Sequence, residues 1–450
     1  MIKIHSALRQ PYLLTGLIFG LFLAVVKLVN ILLIRQGFIT HLPWTFPFSL
    51  ARFRIDILNI TIGLLFFIIV FLSVRFLDRV QSIPLALFIG YLLIVFGNLA
   101  QGGIKQAFIY PFTESGIQYY HDAILINNGG NFLRNFNEIQ TGLHMHSLTH
   151  PPFAVLIHYW ILSIADQSVL FLSFTFSLSI ILCMIVLTRI LVWNNTPREK
   201  IIQLIILFAV IPGINIYGIV CLDSIIFFFA TLFCAGILCY YAKKPIWLTF
   251  TLLVVGFTGV NLLTFMGVYF AGIGGLVALY ELLTNKRRLL LTLLIIVGIF
   301  FLILLAIFYI GFNYNHIEAF FEVPKFEYQG GFALLTNPLR YFITRFESLL
   351  EPLVFFGLPI AGILLNNKFF INKEQRQDPS FLLFSVSIII FILMLLIGVF
   401  RTGETARPLL FLYPLGLIIL HKNFVTDYKQ LIIITAIQTA VMQSIWSFFW

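Results

Sequence analysis

The sequence predicts an all-α, polytopic membrane protein with about 12 to 14 transmembrane helices. Of its 450 residues, 60% are hydrophobic and 10% are charged, whereas soluble domains carry about 25% charged residues. Apolar runs of about 15 to 25 residues recur along the chain, and a helix of that length crosses roughly 30 Å of hydrocarbon. The short alternating segments typical of membrane β-strands are absent, which disfavours a membrane β-barrel.

Three apolar runs precede the first long polar segment: residues 12–34, 57–74 and 84–100. Basic residues are retained on the cytoplasmic side of such spans. Lys3 and Arg9 therefore place the N-terminus in the cytoplasm, and Arg75 and Arg79 place the turn after the second span there too. The first run is longer than a secretory signal and no cleavage site follows it, so it is predicted to be a retained helix.

Residues 101–152 form the longest polar interruption of the sequence and are predicted to be an extracytoplasmic loop. Helices are expected over residues 122–128 and 132–143, with Gly129 and Gly130 between them. The second has apolar residues at three- and four-residue steps, which is typical of a helix lying on a membrane surface. Structureless loops of this length are uncommon unless they have a function, so the segment is predicted to hold the active site.

The segment after this loop leaves two topologies open. Residues 153–165 form a short apolar run, residues 168–192 form a full span, and residues 194–200 are cytoplasmic by their charge. Two complete crossings from the outside would return residues 194–200 to the outside. Either the short run does not cross completely, or the charge rule fails at this turn.

Further spans are predicted down to the C-terminus, with a second polar loop at 313–351 and a polar turn at 401–408 on the extracytoplasmic side. These spans cover residues 201–216, 219–241, a pair within 246–283 broken near 259–261, 289–312, 352–365, 381–400, 409–420 and 431–449. The chain is accordingly divided into N-terminal helices (1–100), the active-site loop (101–152), a transmembrane core (153–312), the second loop (313–351) and C-terminal helices (352–450).

Asp122 is the leading candidate for a catalytic carboxylate. It lies among aromatic residues, including Tyr120, where desolvation favours the protonated form and makes a carboxylate a stronger base. The alternative is that Asp122 only caps the following helix. Glu114 is the second candidate carboxylate in the same loop.

Three histidines of the loop, His144, His146 and His150, do not have the spacing of a common metal motif. One or two of them are expected to contact phosphate or sugar. His150 is favoured because the two prolines that follow it fix it at the start of a helix. No metal site is predicted, although assistance by a divalent metal is left open.

The polar turn 401–408 supplies cations for an anionic ligand. Arg401 and Arg407 flank Glu404, and charged residues beside a span usually have partners. A structural Glu404–Arg407 ion pair is the alternative interpretation. Arg340 of the second loop is a further candidate contact for phosphate, together with Lys325 and Arg345.

The loop resembles the first luminal loop of GT-C glycosyltransferases, a superfamily that includes protein O-mannosyltransferases and lipid A aminoarabinose transferases. The resemblance is based on Asp122 near the start of the loop, the amphipathic segments, and His150 with its two following prolines. Asp223 near the outer end of a later span and the glycine-rich stretch 256–274 are similar to further features of that family. Ala123 stands where those relatives have a second acidic residue.

This resemblance implies a sugar donor on polyprenyl phosphate and an acceptor hydroxyl on lipid, glycan or protein. Asp122 then acts as the general base with His150 as a second catalytic residue, and the anomeric carbon is inverted. Glu114, Tyr120, His146, Asp223, Arg340, Arg401, Glu404 and Arg407 are the implied substrate contacts.

Two other function classes compete with a transferase: a lipid-linked sugar flippase or transporter, and a polysaccharide polymerase or ligase. The net charge of +10 does not indicate nucleic acid, because Lys and Arg fall mainly in short loops. The expected location is the plasma membrane, with membrane lipids as partners and the active site on the extracytoplasmic face.

Overall fold

The computed structural model describes residues 52–327, 331–366, 378–400, 403–423 and 428–448, together with single positions at 20, 21, 25, 28 and 32. The predicted first span, 12–34, falls outside the described ranges. The predicted class is confirmed, because the described chain is helical throughout apart from one two-stranded pair. In that pair β1 (Arg52–Phe53) runs antiparallel to β2 (Trp446–Ser447), which joins the two ends of the described chain.

The first half of the described chain contains the helices α1 Ile57–Arg75, α2 Ile83–Leu99, α3 Tyr110–Thr113, α4 Tyr119–Ala123, α5 Gly129–Ile139, α6 Met145–Leu148, α7 Pro152–Ile164, α8 Val169–Trp193, α9 Arg198–Ala209, α10 Pro212–Tyr217 and α11 Leu222–Tyr241. The second half contains α12 Ile246–Leu263, α13 Gly267–Asn285, α14 Leu289–Phe312, α15 His316–Glu327, α16 Ala333–Thr336, α17 Pro338–Phe356, α18 Leu358–Asn366, α19 Pro379–Leu396, α20 Leu412–Asn423 and α21 Tyr428–Ile445.

Seven of the described helices are long and apolar enough to cross a membrane: α1, α8, α11, α12, α13, α14 and α19. The number rises to eight if the bent pair α17–α18 forms one span. The chain is therefore a multi-pass integral membrane protein. Within the described ranges, several of the predicted apolar runs form two shorter helices rather than one long helix.

Backbone breaks explain where the predicted spans fail. The run 201–216 is divided into α9 and α10 just before Pro212, since proline has no N–H and disfavours helix in the residue before it. The helix of the predicted span 352–365 starts earlier, within the predicted second loop, and bends by 109° at Gly357, whose φ is +99°. The pair 246–283 breaks at residues 264–266 rather than at 259–261, and Thr264 has extended backbone there.

The length of the short helix α7 bears on the two topologies left open by the sequence. It has 13 residues, which corresponds to about 20 Å and is too short for the hydrocarbon core. Tyr159 in its second half donates a hydrogen bond to the backbone oxygen of Asn127 at 3.4 Å, which ties the helix to the polar loop before it. This favours an incomplete crossing at 153–165, followed by one full span in α8.

The loop 101–152 is folded against the bundle instead of spread over a lipid surface. In place of the predicted helices 122–128 and 132–143, the loop has α4 and α5 together with the shorter α3 and α6. Helix α5 starts at the two glycines that were predicted to separate the helices. The apolar face of α5 packs inward: Phe136 is fully buried and its ring lies 5.8 Å from that of Tyr314. Asn137 and Asn315 exchange two hydrogen bonds of 2.9 and 3.0 Å, which join the first polar loop to the second. An amphipathic period indicates an apolar partner without specifying whether that partner is lipid or protein.

Candidate functional site

Asp122 lies on the short helix α4 and is buried, with 6% of its surface exposed. Its Oδ1 lies 2.8 Å from Nδ1 of His144, and its Oδ2 accepts the backbone N–H of His144 at 3.1 Å. A carboxylate can only accept from the imidazole here, so Nδ1 carries the proton and Nε2 remains free to accept one. The side chain of His144 is 39% exposed. The arrangement is a buried carboxylate that orients an accessible imidazole.

The backbone of the loop holds this pair in place. The N–H of His146 donates to the carbonyl of Ile117 at 3.1 Å, which ties the segment of His144 to the residues just before α4. His121, next to Asp122 on α4, lies with its ring 5.3 Å from that of His144. Burial and the neighbouring His144 imidazole lower the pKa of His121 below its usual value. His121 is therefore mostly neutral at pH 7 and adds little positive charge beside His144.

A second cluster surrounds Tyr119, one turn before Asp122 on α4. The rings of His146, His150 and His158 lie 5.6, 5.3 and 5.2 Å from the Tyr119 ring. His150 is held by its Nδ1–H, which donates to the carbonyl oxygen of His146 at 3.0 Å. Burial raises the pKa of Tyr119 well above its usual value, and the charge of Asp223 raises it further. Tyr119 is thus a neutral phenol between the histidines and the Asp223 carboxylate.

Asp223 and Arg407 form a mostly buried ion pair. Nε and Nη2 of Arg407 lie 2.9 and 2.6 Å from Oδ2 of Asp223, and the two side chains are 16% and 17% exposed. Asp223 lies in the first turn of α11, where a carboxylate interacts favourably with the helix dipole. Burial lowers the pKa of Arg407, but the carboxylates of Asp223 and Glu404 outweigh it and raise the pKa well above its usual value.

The turn that carries Arg407 is anchored from α17. Glu351 is buried, and its Oε2 accepts the Thr405 N–H at 2.8 Å and the Thr405 hydroxyl at 2.7 Å. The same hydroxyl also lies 2.7 Å from the carbonyl oxygen of Ser348. Arg407, two residues further along the chain, is positioned in turn with its guanidinium carbon 5.8 Å from the centre of the Tyr217 ring.

A cleft joins the Tyr119 cluster to Arg407. Its volume is about 20 Å³, which is room for about one water molecule. Val220 in its lining has a φ of +66°, a conformation that costs a β-branched residue about 1 to 3 kcal/mol and is concentrated at functional sites. The cleft is lined by Pro111, Phe112, Gln118, Tyr119, His158, Tyr217, Val220, Cys221, Leu222, Arg407 and Phe448.

The structure brings together several predicted residues that are distant in sequence. Asp223 and Arg407 meet at the cleft, where the Arg407 guanidinium pairs with the Asp223 carboxylate. Asp122 and His150 make separate contacts: Asp122 pairs with His144, and His150 packs on Tyr119.

The other predicted contacts do not line the cleft or lie outside the described residues. Glu114 is exposed, and Tyr120 is half-buried with its ring 5.6 Å from that of His121. Arg340 lies in the first turn of α17 and its side chain is outside the described part, as is all of Arg401. Among the described residues no group of His, Cys, Asp and Glu side chains has the arrangement of a metal site.

Three residues of the site were not predicted for their observed roles: His144, Tyr119 and Glu351. The sequence suggests His144 as a contact for phosphate or sugar or as a metal ligand, and its place in a His-rich segment after Asp122 was a usable signal for the observed pair. Tyr119 is three residues before Asp122, so a helix there places both on neighbouring turns. Glu351 has no local signal, because its partner Thr405 is 54 residues away.

Comparison with protein-family models, with curated proteins and with solved structures finds no match to this chain. The chemistry of the site is therefore inferred from its own geometry. An oriented imidazole can accept a proton from a hydroxyl group. The cleft beside it presents a guanidinium and a phenol, which are both hydrogen-bond donors toward an anion.

Proposed function

We propose that the chain is a membrane glycosyltransferase of the GT-C type, which transfers a sugar from a polyprenyl-phosphate donor to an acceptor hydroxyl. The observation that supports this most directly is the pair formed by Asp122 and His144. A buried carboxylate with its oxygen 2.8 Å from the Nδ1 of an exposed imidazole is the arrangement of an oriented general base.

In the proposed reaction, Nε2 of His144 takes the proton of the acceptor hydroxyl while that oxygen attacks the anomeric carbon. The bond between the anomeric carbon and the phosphate oxygen breaks, and its electron pair leaves with the phosphate, so configuration is inverted. Asp122 holds the Nδ1–H and stabilises the imidazolium that forms. This refines the role predicted for Asp122, since His144 receives the proton and Asp122 orients it.

The leaving polyprenyl phosphate departs as an anion and needs positive charge rather than an acid. Arg407 is the buried cation of the cleft, and the Tyr119 phenol remains a donor because its pKa is raised. Asp223 already neutralises part of the Arg407 charge at 2.6 Å. The proposal therefore assigns Arg407 a directional hydrogen-bonding role. The cleft volume of about 20 Å³ is smaller than a sugar ring, so donor binding requires its lining side chains to move.

The proposal places the loop 101–152 and the turn 401–408 on the extracytoplasmic face of the plasma membrane. The acceptor is a hydroxyl of a lipid, a glycan or a protein, and the full helix count of about 12 to 14 includes spans built from broken helices. Lys and Arg in the short loops between spans support this orientation.

A polysaccharide polymerase or ligase would also transfer a sugar from a lipid-linked donor, so the same site chemistry would serve it. A flippase is disfavoured because each of the seven long helices contains at most one charged residue, whereas transport paths usually contain intramembrane charges.

The test uses purified protein in lipid nanodiscs with radiolabelled polyprenyl-phosphate sugars and extracts of membrane lipid and envelope glycan as acceptors. Release of polyprenyl phosphate by the wild type supports the proposal. His144→Gln is expected to lower the rate about 10²- to 10⁴-fold, the usual contribution of a general base. Glu138→Gln changes an exposed acid of the same loop that has no assigned role, so it is the control and keeps the wild-type rate.

Two outcomes contradict the proposal at different levels. If no donor releases polyprenyl phosphate with any acceptor, and the same protein in liposomes moves the labelled lipid across the bilayer, the transferase class is wrong. If the wild type is active and His144→Gln is equally active, the class stands and the base is elsewhere.

A further inference from the structure

A groove lies between the polar loop and the bundle, on the side of α7 that faces away from the cleft. Its volume is about 690 Å³, within the range of about 300 to 1,000 Å³ typical of ligand sites. Helices α5, α7 and α14 contribute its lining: Asn128, Gly129, Gly130, Leu133, Phe153, Leu156, Tyr159, Trp160, Ser163, Ile164, Phe308 and Phe312. Most of this lining is aromatic or aliphatic.

Two glycines shape the end of the groove at α5. A side chain at Gly129 would begin 3.2 to 3.5 Å from Leu156, Tyr159 and Trp160, and one at Gly130 would begin 3.7 Å from Phe312. The backbone of α5 therefore approaches α7 closely, with no side chain at these two positions to fill the space between the helices.

The groove continues an exposed apolar surface. Trp160 is 47% exposed and Ile164 is 80% exposed, which is costly in water and favourable in lipid. Tryptophan is enriched at the boundary between hydrocarbon and headgroups, and Trp160 lies close to the polar loop at Gly129. The surrounding bilayer therefore has direct access to the groove.

A cation lies at the rim. The guanidinium carbon of Arg134 lies 6.0 Å from the centre of the Phe312 ring, and the side chain is exposed. Among the described residues no carboxylate is within ion-pair distance of Arg134, including Glu138 one turn further along α5. An apolar groove with one such cation at its edge is complementary to an amphiphile with a hydrocarbon chain and an anionic head.

The groove is separate from the cleft. The two share no lining residue. Neighbouring residues of α7 face opposite ways, since His158 stacks on Tyr119 at 5.2 Å while Tyr159 lines the groove. An occupant of the groove thus lies across α7 from Arg407 and is not placed for transfer.

We propose that this groove binds one acyl chain of an anionic glycerophospholipid of the surrounding bilayer, with the lipid phosphate beside Arg134. Basic residues next to apolar sites between membrane helices recognise anionic headgroups in this way. The inference does not depend on the transferase function.

The test is native mass spectrometry of the protein after titration with phosphatidylglycerol or phosphatidylcholine in detergent. The wild type is expected to retain one phosphatidylglycerol in preference to phosphatidylcholine. Arg134→Gln is expected to reduce that preference about fivefold, the contribution of one basic residue near a headgroup. Ser163→Phe, at an exposed position of the groove, is expected to lower the retention of both lipids.

Arg79→Gln is the matched control. Arg79 also stacks on a phenylalanine, with its guanidinium carbon 5.1 Å from the centre of the Phe76 ring, but neither residue lines the groove. It should bind both lipids like the wild type. Equal retention by the wild type, Arg134→Gln and Ser163→Phe overturns the proposal. The proposal is also overturned if the wild type retains co-purified polyprenyl phosphate instead of phospholipid and Ser163→Phe loses it.

Discussion

The carboxylate of Asp223 and the guanidinium of Arg407 are 184 residues apart in the chain and 2.6 Å apart in the structure. One comes from the first turn of α11 and the other from the polar turn before α20. Their contact joins the core of the bundle to its C-terminal helices at the cleft beside Tyr119.

Removing one partner of this pair is expected to destabilise the protein. Asp223→Asn leaves a mostly buried guanidinium without its main counter-charge and should cost about 3 kcal/mol. The double variant Asp223→Asn/Arg407→Gln should lose less than the sum of the two single losses, because neither charge is then left alone. Thermal unfolding in detergent measures all three, and strict additivity would show that the pair is not coupled.

The hydrogen bonds between Glu351 and Thr405, which anchor the turn that carries Arg407, give a second prediction. Thr405→Val keeps the side-chain volume but removes the hydroxyl that contacts Glu351 at 2.7 Å. A buried polar group that loses its hydrogen-bond partner costs about 1 to 3 kcal/mol, so the unfolding midpoint should fall clearly. Thr405→Ser keeps the hydroxyl and serves as the control. Equal midpoints for the two variants would mean that the hydroxyl contributes nothing.

A third prediction concerns the close packing of α11 against α12. A side chain at Gly256 would begin 2.4 Å from the backbone nitrogen of Phe233, whereas one at Gly275 would meet nothing within 4 Å. Gly256→Ala should therefore cost about 1 to 3 kcal/mol by forcing the helices apart. Gly275→Ala, also within a helix, should be neutral or stabilising by up to about 1 kcal/mol. A reversed order in unfolding experiments would refute this packing.

Stability is expected to depend on pH through a partly buried histidine of the second polar loop, His316. His316 is enclosed by the rings of Phe265, Phe301 and Tyr314 and lies 2.8 Å from the Tyr314 hydroxyl. Burial lowers its pKa to about 4, below the value of about 6.5 in an unfolded chain. Between these values the unfolded state binds the additional proton. Stability is therefore complete above pH 6.5 and is lost as the pH falls toward 4, by up to about 3 kcal/mol.

His316→Gln provides the control for this titration, since glutamine has polar groups for Tyr314 but does not titrate. The unfolding midpoint of the variant should fall less than that of the wild type between pH 7 and pH 4.5. Parallel curves for the two proteins would assign the acid sensitivity to other groups.

Within the loop 101–152, the sequence predicts the amphipathic helix but not the surface that it contacts. The apolar period of residues 132–143 predicted an amphipathic helix, and α5 is one. Its apolar face contacts Tyr314 rather than lipid, because periodicity shows that a face is covered and does not show by what. The helix around Asp122 was displaced by several residues for a related reason: α4 is only five residues long, too short to have a period.

The sequence by itself determined the class of this protein and the segment with the most polar chemistry. Apolar runs long enough to span a bilayer can form only helices there, since every backbone group must be hydrogen-bonded within the segment. Only the tertiary structure decided which polar groups meet: Asp122 with His144, Thr405 with Glu351, and Asp223 with Arg407. Those partners are 22, 54 and 184 residues apart, and at such separations the packing of the helices, not local spacing, brings two side chains within hydrogen-bonding distance.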